Sequence, residues 1–299
     1  MSEPTSDIYH CQTTGNIART CFDAVRPAFL SASILPVLSA LAYVLGVYGS
    51  LDYLLALLTL ISIACIHSSA NVLNDYFDSR NGTDQANQQR VYPFSGGSRF
   101  IQNGVLSEDQ TFKLGIVLLL AGIVFGLIIA YISGPVILLI GFIGAVLAVF
   151  YSAPPCLACK GLGDLTIAAC FGLLPVIGTV YSQTGAVTNS SIWLGLVIGC
   201  FVASILWINS IPDIDADKKA GKHTWPARLN KKVASWMHGA WFICGFGMIL
   251  FTPIGAGYLA LLATVPATIA VVSVIRGNFI PAIPLPLVTH AMVCILFGA

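Results

Sequence analysis

The sequence predicts an all-α membrane protein: a bundle of nine transmembrane helices with cytoplasmic cap loops, forming one domain over residues 1–299. Of its 299 residues, 57% are hydrophobic and 9% are charged, whereas soluble domains contain about 25% charged residues. So few polar side chains cannot cover a water-facing surface, which excludes a soluble enzyme and a disordered chain. The net charge of +1 provides no field that attracts a polyanion, so no nucleic-acid partner is expected.

Nine apolar stretches are free of Asp, Glu, Lys and Arg, and each is close to the roughly 20 residues needed to cross a bilayer core. They are residues 28–48, 53–73, 114–132, 135–153, 165–182, 191–211, 233–252, 254–275 and 279–298. If they cross the membrane in turn, all fourteen basic residues lie on the side of the N-terminus, and Asp52 is the only charge in the opposite links. The positive-inside rule then predicts a multi-pass protein in contact with membrane lipid, in the cell membrane, with the N-terminus and both long loops (74–113 and 212–232) in the cytoplasm.

The nine cysteines are odd in number and lie mostly within apolar stretches. We therefore expect reduced thiols that pack as small hydrophobic residues. A redox pair or half a zinc site at Cys156 and Cys159 is the alternative, but no second pair lies at zinc spacing.

Two short acidic clusters follow the second and the sixth apolar stretches. In the first, Asn74 and Asp78 share a face if the helix continues past the hydrocarbon, and Asp84 follows them. This arrangement predicts a row of oxygen ligands at the cytoplasmic end of the second span.

The second cluster repeats the spacing of the first. Asn209, Asp213 and Asp217 follow one another at intervals of four residues. Pro212 lies inside this row, so a kink or a helix break is expected to displace Asp213 from Asn209.

The clustered carboxylates predict a divalent metal. Two carboxylates about 4 Å apart repel by roughly 4 kcal/mol at an effective dielectric constant near 20, and Mg²⁺ prefers oxygen ligands and shares its shell with substrate phosphates. Solvated helix ends are the alternative, which the matched Asn-x-x-x-Asp spacing disfavours. The expected metal ligands are Asn74, Asp78, Asp84, Asp213 and Asp217, and which of Asp75, Asp84 and Asp215 bind metal is left open.

Basic residues beside the clusters predict phosphate contacts. Arg99 follows the first cluster and Lys222 follows the second. The Ser-Gly-Gly-Ser stretch at residues 95–98 is expected to form a backbone nest for an anionic oxygen. The alternative for the cations is that they only set the topology.

These residues resemble the UbiA superfamily of intramembrane prenyltransferases. The resemblance rests on both acidic clusters, on the Lys-Ala-Gly-Lys-His-Thr run at 219–224 and on Arg-Pro at 26–27. Tyr-Ser-Ala-Pro-Pro at 151–155 and Lys-Gly-Leu-Gly-Asp-Leu at 160–165 also match. It implies a bundle that opens laterally to lipid, with a Mg²⁺-bound polyprenyl diphosphate under the cytoplasmic cap.

The resemblance also implies a mechanism. Metal-assisted departure of the diphosphate leaves an allylic cation, which an apolar cavity protects from water until an electron-rich phenol attacks. Arg26 is expected to hold an acceptor carboxylate, with topology anchoring as the alternative. The expected catalytic residues are Asp78, Asp213, Asp217 and Tyr151, and the expected substrate-binding residues are Arg26, Asn74, Arg99, Lys160, Asn209 and Lys222.

One departure indicates a branch of the superfamily. The third acidic residue of the usual first motif would fall on Gly82, but here it is Asp84, and the later Arg-Thr-x-x-Arg-Pro is replaced by the stretch ending in Arg99. Both features resemble the branch that prenylates 1,4-dihydroxy-2-naphthoate in menaquinone synthesis. Another acceptor such as 4-hydroxybenzoate remains the alternative, and more remote ones are a CDP-alcohol phosphotransferase and a cation transporter.

Overall fold

A computed structural model describes residues 3–5, 9, 14–92, 94–252 and 254–298. Throughout this part of the chain every regular element is helical. The predicted all-α membrane fold is therefore confirmed.

Eight of the described helices are long and apolar enough to cross a membrane, and a ninth is apolar but shorter. The nine are α2 (Pro27–Tyr48), α3 (Tyr53–Arg80), α5 (Glu108–Ser133), α6 (Val136–Phe150), α7 (Gly163–Thr184), α8 (Asn189–Ser210), α11 (Lys231–Leu250), α12 (Gly257–Ile275) and α13 (Phe279–Gly298). Short helices at one end of the bundle are α1 (Thr14–Ala24), α4 (Thr83–Ala86), α9 (Ile214–Lys219) and α10 (Trp225–Arg228). The predicted fourth span, 135–153, is thus a helix of only 15 residues, since it ends at Phe150.

Helix α3 is the longest element and positions half of the site. Its N-terminus is capped by Asp52, whose carboxylate accepts a hydrogen bond from the Leu55 amide at 3.0 Å. Its 28 residues span about 42 Å, more than the roughly 30 Å of hydrocarbon. The helix therefore continues beyond the predicted limit at residue 73 and carries the first acidic cluster out of the apolar layer.

Helix α8 lies at the centre of the bundle. Leu194, Ile198 and Phe201 on this helix are fully buried. It contacts α7 backbone to backbone, because a Cβ added at Gly172 would overlap backbone atoms of Gly199. Small residues permit such close approach between membrane helices, so α7 and α8 form one tightly packed pair.

A π-helical segment at Ala169–Leu173 interrupts α7 at this contact. The wider turn accompanies both the close approach of Gly172 to α8 and a contact of Phe171 with the His67 ring, whose centroids are 4.4 Å apart. Such segments are rare and often lie at functional sites. Here the segment lies beside the cavity described below.

The cysteines depart from expectation at one place. Cys156 and Cys159 form a disulfide in the loop between α6 and α7, so the expectation of reduced thiols is wrong for this pair. The loop brings the two close because turns and a short 3₁₀ helix, Ala158–Lys160, fold it back on itself. The other described cysteines are free.

Candidate active site

A cavity of about 350 Å³ opens where α3, α8 and the short helices meet. Its walls come from α2, α3, α5, α6, α7 and α8. Polar side chains surround one end, and apolar side chains line the depth. The polar end holds Arg26, Asn74, Asp78, Asp84, Asn87, Asn209, Asp213, Asp217, Lys222 and Thr224.

The first acidic cluster lies on the cavity face of α3. Asn74 donates hydrogen bonds to Asp78 at 3.2 Å and to Ser152 at 2.9 Å. Lys222 forms a 2.7 Å salt bridge with Asp78, and both side chains are largely buried. The cap loop after α9 thus reaches across the cavity mouth to the first cluster.

The second cluster is divided by the helix break that Pro212 predicts. Asn209 lies in the last turn of α8, which ends at Ser210, and Asp217 lies in the separate helix α9. Asp213 sits at the start of α9 and accepts a hydrogen bond from Asn87 at 2.7 Å. The expected helix break is confirmed, and Asn209, Asp213 and Asp217 all border the cavity.

The glycine loop at residues 95–98 binds anionic oxygens of the protein itself. The Ser98 amide donates to Asp75 at 3.1 Å, and Ser95 and the Gly96 amide donate to Asp213. Gly96 and Gly97 have φ of 78° and 75°, the left-handed region that glycine adopts freely. The predicted nest therefore links the two acidic clusters.

Asp84 lies in the short helix α4 and is almost fully buried. Gln102 donates to its carboxylate at 3.1 Å, and Arg99 donates to its backbone carbonyl at 2.6 Å. Burial, followed by the neighbouring carboxylates of Asp75 and Asp78, raises the pKa of Asp84 to about 8. An ionised Asp84 would thus be stabilised by any cation that entered the cavity mouth.

Two other acidic residues outside the spans, Asp213 and Asp217, also have raised pKa values. Burial raises the pKa of Asp217 to about 6, against the opposing effect of Lys222. Burial also raises the pKa of Asp213 above its usual range, although three hydrogen bonds oppose the shift. Burial lowers the pKa of Lys222, but the carboxylates of Asp78 and Asp217 outweigh it and raise the pKa overall. One lysine is therefore insufficient to balance the carboxylates that face it.

The donor set fits a hard divalent cation. Four carboxylates border one end of the cavity, and Oδ1 of Asn209 is buried there without a hydrogen-bond partner. Within the described residues, no three acidic, histidine or cysteine side chains converge to hold an ion alone. This arrangement suits Mg²⁺, which keeps waters and takes substrate phosphate oxygens as ligands.

Several residues singled out from the sequence lie away from the cavity. Lys160 is exposed, and its carbonyl accepts a hydrogen bond from Arg228 at 2.9 Å. Arg99 is buried behind α4, where it holds the Asp84 backbone. Asp75 anchors the glycine loop, and Asp215 is exposed on the outer face of α9.

Other predicted residues do border the cavity. Tyr151 follows the end of α6 at the mouth. Arg26, with φ of 57°, donates to the Phe94 carbonyl at 3.3 Å, and its guanidinium lies 4.5 Å from the centroid of the Phe29 ring. Both residues therefore border the same cavity as the acidic clusters.

Asn87 and Thr224 were not singled out from the sequence. Asn87 holds Asp213, which is 126 residues away in sequence, and Thr224 donates to Asp217 at 3.1 Å. Thr224 belongs to the 219–224 run that carried the resemblance, so its motif was a usable signal. Asn87 lies in a polar loop without periodicity, and nothing in its surroundings marked it.

Fold and site together define a membrane-embedded enzyme with an acidic cavity mouth above an apolar channel. The chain belongs to the UbiA prenyltransferase family, whose profile matches residues 33–279. It is therefore a prenyltransferase, and the resemblance drawn from the motifs is confirmed. The more remote classes, a CDP-alcohol phosphotransferase and a cation transporter, are not supported.

Curated relatives include two bacterial enzymes named 1,4-dihydroxy-2-naphthoate octaprenyltransferase. The one from Bacillus subtilis is 28% identical over 233 residues, covering 77% of this chain and 72% of the relative. The one from Escherichia coli is 27% identical over 238 residues, covering 76% and 74%. The chain is also 28% identical over 252 residues to the Drosophila melanogaster UbiA prenyltransferase domain-containing protein 1 homolog, covering 82% of this chain and 66% of that protein.

Solved structures share the fold at low sequence identity. A UbiA homolog from Archaeoglobus fulgidus bound to GPP and Mg²⁺ superposes with a TM-score of 0.63 at 17% identity, covering 93% of this chain and 96% of that one. The apo structure of a UbiA homolog from Aeropyrum pernix K1 gives a TM-score of 0.65, also at 17% identity, covering 89% and 95%. The architecture of the bundle is thus that of known family members.

Proposed function

We propose that this prenyltransferase transfers a polyprenyl group from an allylic diphosphate to 1,4-dihydroxy-2-naphthoate, with Mg²⁺ as cofactor, as a step in quinone synthesis. The observation that carries the proposal is the junction of an acidic mouth with an apolar channel in one cavity. The names of the bacterial relatives support the acceptor, and the Mg²⁺ and GPP of the Archaeoglobus homolog support the cofactor and donor.

Asp78, Asp84, Asp213 and Asp217 would hold the metal, with the amide oxygens of Asn74 and Asn209 as neutral ligands or orienting groups. The unpartnered Oδ1 of Asn209 supports this assignment, because a buried acceptor without a partner is costly. When bound, Mg²⁺ supplies Lewis-acid neutralisation of the charge that develops on the departing diphosphate.

Lys222 contributes a cation to the same oxygens. It is paired with Asp78 at 2.7 Å and borders the cavity, so its ammonium group would lie beside the oxygens of a diphosphate bound at the acidic mouth. This contact is electrostatic stabilisation of a leaving group, which is among the largest single effects in catalysis.

The apolar walls protect the carbon centre from water. The C1–O bond breaks, the diphosphate leaves with the electron pair, and a new bond forms between C1 and a ring carbon of the acceptor. The ring then loses carbon dioxide or a proton. Tyr151 at the mouth would face the electron-poor carbon or an acceptor oxygen, and the residues below it exclude water.

Arg26 would hold the acceptor's carboxylate. Its guanidinium borders the cavity from the α2 side, and the acidic residues of α3 and α9 border the same cavity. A carboxylated bicyclic acceptor fits this requirement, since a planar guanidinium binds carboxylates through two parallel hydrogen bonds. 4-Hydroxybenzoate carries a carboxylate too, so the second ring is the feature to be tested.

The test is a membrane assay in which equal concentrations of the naphthoate and of 4-hydroxybenzoate compete for one polyprenyl diphosphate. Products are identified by mass spectrometry, with and without EDTA. We expect the naphthoate to give the larger kcat/KM and EDTA to abolish both products. A tenfold preference for 4-hydroxybenzoate, about 1.4 kcal/mol of transition-state free energy, would refute the acceptor while leaving the family intact.

The same proposal includes the membrane in which the protein lies and the side of that membrane that the site faces. The basic residues lie in the loops at the acidic end of the bundle, so the positive-inside rule supports a cytoplasmic site in the cell membrane. Polyprenyl diphosphates then reach the cavity from the lipid and the acceptor from the cytoplasm.

A further inference from the structure

The apolar part of the cavity is a channel that follows α3. Lining residues recur along one face of this helix from Asp78 at the mouth to Thr59 at the far end, a distance of about 28 Å at ~1.5 Å per residue. Leu55, Ile129 and Ile137 form a buried cluster directly beyond Thr59. The channel therefore has a closed floor and a limited length.

An extended isoprene unit, with four chain carbons, is about 5 Å long for C–C bonds of ~1.5 Å. The channel then holds about five units below the mouth, by this geometry. A tail of eight units, about 40 Å, overruns the floor and must leave through a side wall. The inference rests on the proposed function, because it assumes that the channel takes an isoprenoid tail.

Of the helices that line the channel, α6 has the fewest buried residues. Of its 15 residues only Ile137 is buried, and Phe142 is 69% exposed on the outer face. At about 22 Å long it is also shorter than the hydrocarbon layer. Any passage from the channel to lipid meets the least side-chain packing here.

Two glycines of α6 border the channel at mid-depth. Gly144 and Gly141 precede Tyr151 by seven and ten residues, which places them about 10 and 15 Å below the mouth. A Cβ at Gly141 would meet no atom within 4 Å, and one at Gly144 would come no closer than 3.9 Å to Leu174. In contrast, a Cβ at Gly115 would lie 2.6 Å from Leu73, as expected for a glycine that permits helix packing.

Glycine within a helix is less favourable than alanine, because it loses more conformational freedom on folding. Close packing does not explain why residues 141 and 144 are glycines, since each has room for a Cβ. The channel does explain it, because a larger side chain at either position would narrow the channel. Gly126 of α5 and Gly178 of α7 line the same channel and also have room for a Cβ, at 3.7 Å and 3.4 Å from the nearest atoms. The missing side chains are thus concentrated where a tail would pass.

We propose that Gly141 and Gly144 determine the length of the isoprenoid tail that the enzyme accepts. The space beside these two glycines lets a tail of more than about three units pass α6 from the channel to the lipid. Shorter tails end above Gly141 at this spacing and do not need the opening. The position of the third unit, about 10–15 Å below the mouth, coincides with the two glycines.

The test compares Gly141→Leu with Gly46→Leu as a matched control. Gly46 is also an exposed helical glycine with no atom within 4 Å of a Cβ, but it lies on α2 outside the cavity. For each purified protein, Mg²⁺ with geranyl diphosphate (two units) or octaprenyl diphosphate (eight units) is titrated, and the shift in thermal unfolding gives an apparent Kd. The kcat/KM for each diphosphate is measured in parallel.

We expect Gly141→Leu to bind geranyl diphosphate like the parent and octaprenyl diphosphate at least about tenfold more weakly, since excluding a few methylenes from the channel is sufficient for that loss. Gly46→Leu should behave like the parent with both. Equal weakening for both tails, or the same length dependence in Gly46→Leu, overturns the inference but leaves the proposed function. If the parent binds neither diphosphate, the proposed function fails and the inference fails with it.

A second variant guards against misfolding. Gly144→Leu fills the same opening from a neighbouring position, where a Cβ would come no closer than 3.9 Å to Leu174, and should show the same dependence on tail length as Gly141→Leu. If both variants unfold in the absence of ligand while Gly46→Leu does not, the glycines are required for packing and the inference is overturned.

Discussion

Gly97→Ala offers the sharpest test of how the two acidic clusters are joined. Gly97 has φ of 75°, and an added Cβ would lie 2.9 Å from Oδ1 of Asp75 and 3.1 Å from Oδ2 of Asp84. To bring the added Cβ and the carboxylate oxygens back to van der Waals distance, the loop or the carboxylates must shift by a few tenths of an ångström. Since Ser95 and Gly96 of the same loop donate to Asp213, the shift is transmitted to the second cluster.

The expected magnitude follows from these distances. A misplacement of about 1 Å costs on the order of a hundredfold in rate, so about half that displacement should lower kcat/KM by about tenfold, or ~1.4 kcal/mol. Left-handed backbone adds about 1–2 kcal/mol of strain for alanine. This second effect lowers stability without moving the carboxylates.

Gly104→Ala separates the two effects. Gly104 has φ of 70° but no atom within 4 Å of an added Cβ, so it has the strain without the contact. The assay is kcat/KM for prenyl transfer, with thermal unfolding of both variants as a measure of strain. If Gly97→Ala and Gly104→Ala prove equally stable and equally active, the view that the loop positions the acidic clusters is refuted.

Other perturbations test the site, its electrostatics and its orientation. Asp213→Asn should lower turnover by at least about a hundredfold, the order found when an electrostatic stabiliser is removed, whereas Cys156→Ser should leave turnover nearly unchanged; a reversed pattern would contradict the site. In EDTA, the thermal unfolding temperature should fall as pH rises from about 5 to 8, because Asp84, with a pKa near 8, retains in the folded state a proton that the unfolded chain releases near pH 4. Asp84→Asn should flatten that profile, and an unchanged slope would argue against its raised pKa. A cysteine introduced at Gln88 should react with an impermeant reagent from the cytoplasmic side and one at Val187 from the opposite side, and labelling of both from one side would refute the topology.

Much of the fold was predictable because membrane spans are set by local composition. The nine apolar stretches correspond to the nine apolar helices, since a backbone in hydrocarbon must satisfy its hydrogen bonds internally. The fourth helix is shorter than predicted because hydropathy extends into the turns before Pro154, whereas the helix ends at Phe150. Helix ends depend on caps and turns, which hydropathy does not report.

The acidic clusters were predictable as clusters but not as a three-dimensional site. The i, i+4 relation of Asn74 and Asp78 follows from a continuous helix, and Pro212 indicated the break before Asp217. Asp84 reaches the same cavity only because Gly82, with φ of 80°, turns the chain after α3. The hydrogen bond from Asn87 to Asp213 joins residues that only the tertiary fold brings together.

The backbone contact between α7 and α8 has a consequence for motion. Helices that touch through glycine cannot slide by exchanging side-chain rotamers, because there are no rotamers at Gly172 and Gly199 to exchange. We therefore expect this pair to act as a stationary frame on the microsecond-to-millisecond timescale of collective helix motion. Admission and release of large lipids should then depend on displacement of α6, which has few buried contacts to break.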